Sequence, residues 1–167
     1  MADLITHTCV AILIKAAMRR PLHTGIFVAG TCTPDVLGRV PPMGLTVLRW
    51  SVPAIPEWAI YMFGPLHMPV GILLSAYALS FLFAPPLRGA AFRNLLGGGI
   101  LHIAVDLVQR HLGVGYMLLF PFSTWDFEFG WIGSEDTVYA APFLVPITIL
   151  VWRWRRSRAT LDALPGG

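Results

Sequence analysis

Residues 95–112 read LLGGGILHIAVDLVQRHL, apolar for most of their length yet carrying His102, Asp106 and Arg110. At 18 residues the run approaches the about 20 that cross a hydrocarbon core of ~30 Å. A charged side chain at that depth costs on the order of 3 kcal/mol, so the segment crosses only if its polar groups face protein or water. His102 and Asp106 are spaced i, i+4, one turn apart on one helix face. So placed, they either share a metal ion or hydrogen-bond to each other; an Asp106–Arg110 pair is the other i, i+4 choice.

The rest of the chain has the same character. Of its 167 residues 56% are hydrophobic and 13% charged, and the mean hydropathy is +0.67. A soluble domain has roughly 25% charged residues, and half of that cannot cover a water-facing surface. The apolar content excludes low-complexity disorder, and two cysteines exclude a disulfide scaffold. The pI of 9.2 does not point to nucleic acid, because the arginines fall in short clusters between apolar runs with no basic stripe. The length fits a single domain, 1–167. The composition predicts an all-α polytopic membrane bundle.

Two further runs are long. Trp58–Ala84 has His67 as its only ionisable side chain, and Thr137–Trp152 has none. Leu4–Met18 and Leu22–Thr33 are shorter and, joined by Arg19-Arg20-Pro21, read as a helical hairpin. Pro34–Pro56, richer in Pro and Gly, reads as a loop with an interfacial turn at Leu45–Trp50. That makes about five membrane segments, or four if the hairpin is re-entrant. Alternating them puts nine basic residues on one side against Arg39, Arg49 and Arg110 on the other. The positive-inside rule then sets the N-terminus outside and the C-terminus in the cytoplasm. Val10–Met18 has neither a basic flank before it nor a cleavage site after it, so no signal peptide is expected. The loop Gly113–Asp136 lies outside, and its Tyr116, Trp125, Phe127, Phe129 and Trp131 suit the lipid headgroup level. Cys9 and Cys32 fall at similar depth, as a disulfide or as two thiols.

The remaining polar groups have bland readings when taken singly. His67 lies between Pro65 and Pro69, which break a helix there; it either caps a freed carbonyl or marks a site, since broken membrane helices line protein or wet cavities. Asp35 after Pro34 suits an ordinary turn, and His7 a helix end. His23 reads as interfacial beside Arg19 and Arg20, and His111 as surface. Depth changes the weighing. The arginine-based topology brings His7, Asp35, His67, His102 and Asp106 together in the outer half of the bilayer. Three imidazoles and two carboxylates suit Zn²⁺, with Mn²⁺ or Fe²⁺ as alternatives.

Thr6-His7-Thr8, Pro34-Asp35, His67 after a Pro/Gly-rich helix start, His102-Ile103-Ala104-Val105-Asp106 and Leu119-Phe120-Pro121-Phe122-Ser123 occur in the order of a known pattern. Over residues 4 to about 135 the chain resembles the YdjM-like membrane-bound metal-dependent hydrolase family of bacterial inner membranes. That family is distantly similar to zinc-dependent phospholipase C and the P1-type nucleases. The resemblance implies that Asp35, His67, His102 and Asp106 hold one metal, that His7 with Asp106 binds a second, and that Asp106 bridges. The chain departs from the family's H-R-x-x-T-H-S motif around its central histidine, where it has Gly64-Pro65-Leu66-His67-Met68, and it has no H-x-x-x-E pair.

Two functions follow as expectations. One is a metal-dependent hydrolase at the outer leaflet, acting on a phosphoester such as a lipid headgroup, with Asp35 as general base and Arg39 or Arg110 positioning the phosphate. The other is a non-catalytic family member, an accessory subunit docking a membrane partner through the aromatic 113–136 loop. Five segments and one compact polar cluster leave little room for the alternating access of a transporter.

Overall fold

The computed structural model describes residues 4–18, 23–111 and 115–162, with side chains to residue 158. The protein is mostly helical: α1 (Leu4–Ala17), α2 (Thr24–Gly38), α3 (Val40–Ser51), α4 (Trp58–Tyr61), a 3₁₀ turn (Gly64–His67), α5 (Pro69–Ser80), α6 (Pro85–Leu107) and α7 (Thr137–Asp162). Two short strands, β1 (Gln109–Arg110) and β2 (Ile132–Gly133), pair in parallel beyond the end of α6.

The centre of the fold is the contact between α2 and α6, which run in the same direction: Phe27 meets Gly97 and Gly98, and Thr31 meets His102. Bare backbones touch there. A Cβ on Gly30 would sit 2.3 Å from the Leu95 carbonyl oxygen, and one on Gly98 2.2 Å from that of Phe27. Small residues of this kind let helices approach closely where packing, not water exclusion, drives association. α1 lies antiparallel to α2, with His7 near Asp35 and Lys15 over the Phe27 ring. Lys15 Nζ also donates to Asn94 Oδ1 at 3.0 Å, tying α1 to α6. α5 runs antiparallel to α6, Tyr77 packing edge-on to Phe92 and Ile72 against Gly99. The Arg19-Arg20-Pro21 tip of the expected hairpin lies outside the described residues. Cys9 and Cys32 are free thiols, and Thr8 Oγ1 is 3.5 Å from Cys32 Sγ.

Polarity is distributed inside out. Among the described residues nine apolar side chains, Pro34 included, are buried but fourteen polar or charged ones are, while large apolar side chains line the exterior. Among the same residues one helix, over Thr137–Arg158, is long and apolar enough to cross a membrane, and little of it is buried.

Prolines cause the departures from expectation. The expected loop 34–56 is helical as far as Ser51 and irregular only from Val52 to Pro56: α2 runs through Pro34 to Gly38, and α3 starts with Pro41 and Pro42 in its first turn. A proline there removes only an N–H that has no helical partner, so it begins helices as readily as it ends them. Pro85 and Pro86 start α6 in the same way, ten residues before the expected segment, and that helix ends at Leu107, short of Leu112. The break expected between Pro65 and Pro69 is present: the Trp58–Ala84 run bends by 80° between the Trp58–His67 stretch and Pro69–Ser80.

Replacing Gly98 by Ala should force α2 and α6 apart and cost about 1–3 kcal/mol, the usual scale of overpacking. Gly25→Ala, where a Cβ meets nothing within 4 Å, should leave the thermal midpoint unchanged or higher. Unfolding of the two variants in detergent checks the difference.

Candidate metal centre

His102 and Asp106, on the last turns of α6, are fully buried. His102 Nδ1 lies 2.9 Å from the Thr31 carbonyl oxygen. A carbonyl only accepts, so Nδ1 carries the proton and, in the neutral ring, the Nε2 lone pair faces the cluster. Metal-bound histidines are oriented by such a bond. The Pro65–Pro69 break turns His67 inward, its Cβ 3.0 Å from where a side chain on Gly38 would start. His67 Nε2 is 2.9 Å from His102 Nε2, 3.1 Å from Asp35 Oδ1 and 3.9 Å from Asp106 Oδ2. Asp35, one turn from the end of α2, sits within the helix and is buried, not in the surface turn that Pro34 suggested.

His7 completes the cluster from α1. Its ring stacks on His102 with centroids 4.1 Å apart, and its Nε2 lies 3.0 Å from Asp106 Oδ1 and 3.9 Å from Asp35 Oδ2. Neither ring nitrogen has an aligned hydrogen-bond partner although the side chain is fully buried. Such an orphaned imidazole is costly and is the donor a metal would satisfy. Seven pairs of these nitrogen and oxygen atoms stand 2.9–3.9 Å apart. Tetrahedral bonds of ~2.0–2.2 Å place ligand atoms about 3.3–3.6 Å from one another, so the residues fit a metal. Two sets have ligand atoms within 4.8 Å of each other, His7–Asp35–His102 and His67–His102–Asp106. Because Nδ1 of His102 is engaged, its one free nitrogen serves a single ion, and the two sets compete for it.

Polar side chains surround the five. Arg39 Nε is 3.2 Å from Asp35 Oδ1 and Nη2 is 3.5 Å from Asp106 Oδ2, which brings the first of the expected phosphate-positioning arginines to the site. Arg110 is not brought there: it is exposed on β1, and among the described residues it has no ion pair with the cluster. The last turn of α6 unwinds before it, so the i, i+4 relation to Asp106 is lost. His111 is also apart, its Nδ1 and backbone N–H both 2.9 Å from Glu128 Oε2. His23 is exposed at the start of α2.

Sequence reasoning missed Gln109, whose Nε2 donates to Asp106 Oδ1 at 3.2 Å, and Tyr116. The Tyr116 hydroxyl donates to Asp106 Oδ2 and lies 2.9 Å from His67 Nδ1. Burial, and then the Asp106 charge, push this phenol far above the usual tyrosine range. Tyr116 comes from the loop between β1 and β2, and only its place among the loop aromatics marked it. That loop is pinned to the end of α6: Phe129 N–H donates to Leu107 O at 2.7 Å, and Trp131 N–H to Val108 O at 2.9 Å. These bonds satisfy carbonyls that a helix C-terminus leaves open.

Comparison with known proteins finds no matching family model, no matching curated protein and no matching solved structure.

The two bonds from His111, the backbone one first, hold Glu128 below the usual carboxylate range. A depressed pKa contributes stability above the unfolded value that is lost as pH falls through the folded value. Amide exchange in residues 127–134 should therefore accelerate below the ordinary glutamate range in the wild type. In Glu128→Gln it should be fast already at neutral pH.

Proposed function

We propose that this chain is a multi-pass membrane protein with a metal-dependent hydrolase centre in the outer half of the bilayer. The observation that carries the reading is the convergence of His7, Asp35, His67, His102 and Asp106 from α1, α2, the 3₁₀ turn and α6 within 2.9–3.9 Å. The inside-out polarity supports the bilayer, and so do the helix directions. α1 against α2 and α5 against α6 are antiparallel and α2 with α6 is parallel, as an alternating path requires. With nine basic residues against three, that path sets the N-terminus and outer loop outside and the C-terminus inside. The resemblance to the YdjM-like hydrolases adds the reaction class.

The mixed nitrogen and oxygen set favours Zn²⁺ over softer or harder ions. The ion would supply Lewis acidity and neutralise charge at a phosphoryl group. Arg39, about one-fifth exposed, is the cation placed to orient an anionic phosphoester such as a lipid headgroup. Asp35, whose Oδ2 is more loosely held at 3.9 Å from His7, is the candidate proton acceptor.

A second reading, a non-catalytic accessory subunit with a structural ion, is favoured by one observation. His7, His102 and Asp106 are all fully buried, and structural sites are closed whereas catalytic ones keep a position open. The exposed Trp125, Phe129 and Trp131 of the outer loop would then face a partner.

Purified protein supplemented with zinc should retain the metal, and His102→Ala and Asp106→Ala should lose it while His23→Ala does not. Retention should weaken as pH falls through the histidine range, where protons compete for the imidazoles. Headgroup release from phosphatidylcholine vesicles that stops on chelation supports the hydrolase. Metal retained without turnover on any phosphoester supports the accessory subunit, and no metal in the wild type overturns both. A reporter fused after Gly167 should read out in the cytoplasm; a periplasmic signal would disperse the proposed site.

A further inference from the structure

We infer that Tyr116 is a positioning residue of the metal centre: its phenol O–H, delivered by the outer loop, fixes Asp106 through Oδ2 and so sets which carboxylate lone pairs a metal meets. This rests on the metal reading above.

Asp106 is held from both ends. Gln109 Nε2 donates to Oδ1, which also lies 3.0 Å from His7 Nε2, and Tyr116 donates to Oδ2. The other neighbours of Oδ2 stand further off, His102 Nε2 at 3.4 Å and Arg39 Nη2 at 3.5 Å. Without the phenol that oxygen keeps only the longer Arg39 contact, and rotation about the Cβ–Cγ bond is restrained at one end, by Gln109. With it, one lone pair on each oxygen is committed and the other is left facing the imidazoles. Partners of this kind orient ligands and tune their basicity.

The delivery is rigid. Tyr116 and Phe127 exchange two backbone hydrogen bonds of 3.1 and 3.0 Å, and Asp126 Oδ2 accepts from Gly115 N–H at 2.9 Å. The ring is 4% exposed and lies edge-on to His111 and tilted on His67, with centroids 5.3 and 5.4 Å away. The same loop caps the carbonyls of α6, so the ligand helix and its orienting phenol form one unit. A tyrosine buried only for packing would find any acceptor. This one meets two members of the cluster, on two different elements.

The test titrates the metal-free full-length chain in detergent with Co²⁺, whose visible absorption reports its ligand geometry. Tyr116→Phe should bind about 10- to 100-fold more weakly and shift the absorption bands, with the helical circular dichroism and the metal-free melting midpoint unchanged. Affinity and spectrum equal to wild type overturn the inference while leaving the metal centre standing. A wild type that takes up no Co²⁺ overturns the metal centre itself. Should Tyr116→Phe fail to fold, Asp126→Ala, which loosens Gly115 and leaves every cluster side chain in place, decides instead. Weakened binding with shifted bands supports the role, and unchanged binding removes it. Fe³⁺ separates positioning from ligation: a tyrosinate charge-transfer band in the wild type that is absent from Tyr116→Phe would make Tyr116 a ligand and overturn the role assigned here.

Discussion

Two carboxylates and three imidazoles withdrawn from water are the constraint to which the rest of this fold answers. None is tolerable alone in an apolar surrounding, and each of the four elements that supply them is shaped to bring one to the others. Gly30 and Gly98 let α2 and α6 touch backbone to backbone, which sets His102 against the Thr31 carbonyl. The Pro65–Pro69 break swings His67 to Asp35, and α1 lies close enough to stack His7 on His102. The apolar side chains that would fill a soluble core face outward.

Much of this was legible in the sequence, and the reason differs by residue. His102 and Asp106 follow from helical period alone, since i, i+4 residues share a face wherever the helix lies. His7, Asp35 and His67 needed the placement of arginines, a property of loops, to be set at one depth. Proline was read correctly at His67, where the Trp58–Ala84 run breaks, and misled where it opens α3 and α6 at their starts; at a helix start its missing N–H has no carbonyl partner to lose. Arg39 and Arg110 looked alike in sequence, and the unwinding after Leu107 separates them. Gln109 stands i, i+3 from Asp106, a helical spacing that could have marked it, whereas Tyr116 reaches Asp106 through loop closure, for which no spacing rule exists.

The loop that carries Tyr116 joins two tasks that point to opposite functions. Its backbone bonds to Leu107 and Val108 and its Tyr116 side chain close the centre, whereas its Trp125, Phe129 and Trp131 remain exposed. A hydrolase needs an open path to its metal, and Arg39, about one-fifth exposed, marks the side on which the cluster meets the surface; a structural ion needs no such path.

The bond from His102 to Thr31 is made to a main-chain oxygen. Every amino acid carries that atom, so the group that aims the histidine survives any change at position 31 that still fits between the helices. The aim of the ring is thus set by the path of the chain and not by the identity of a side chain.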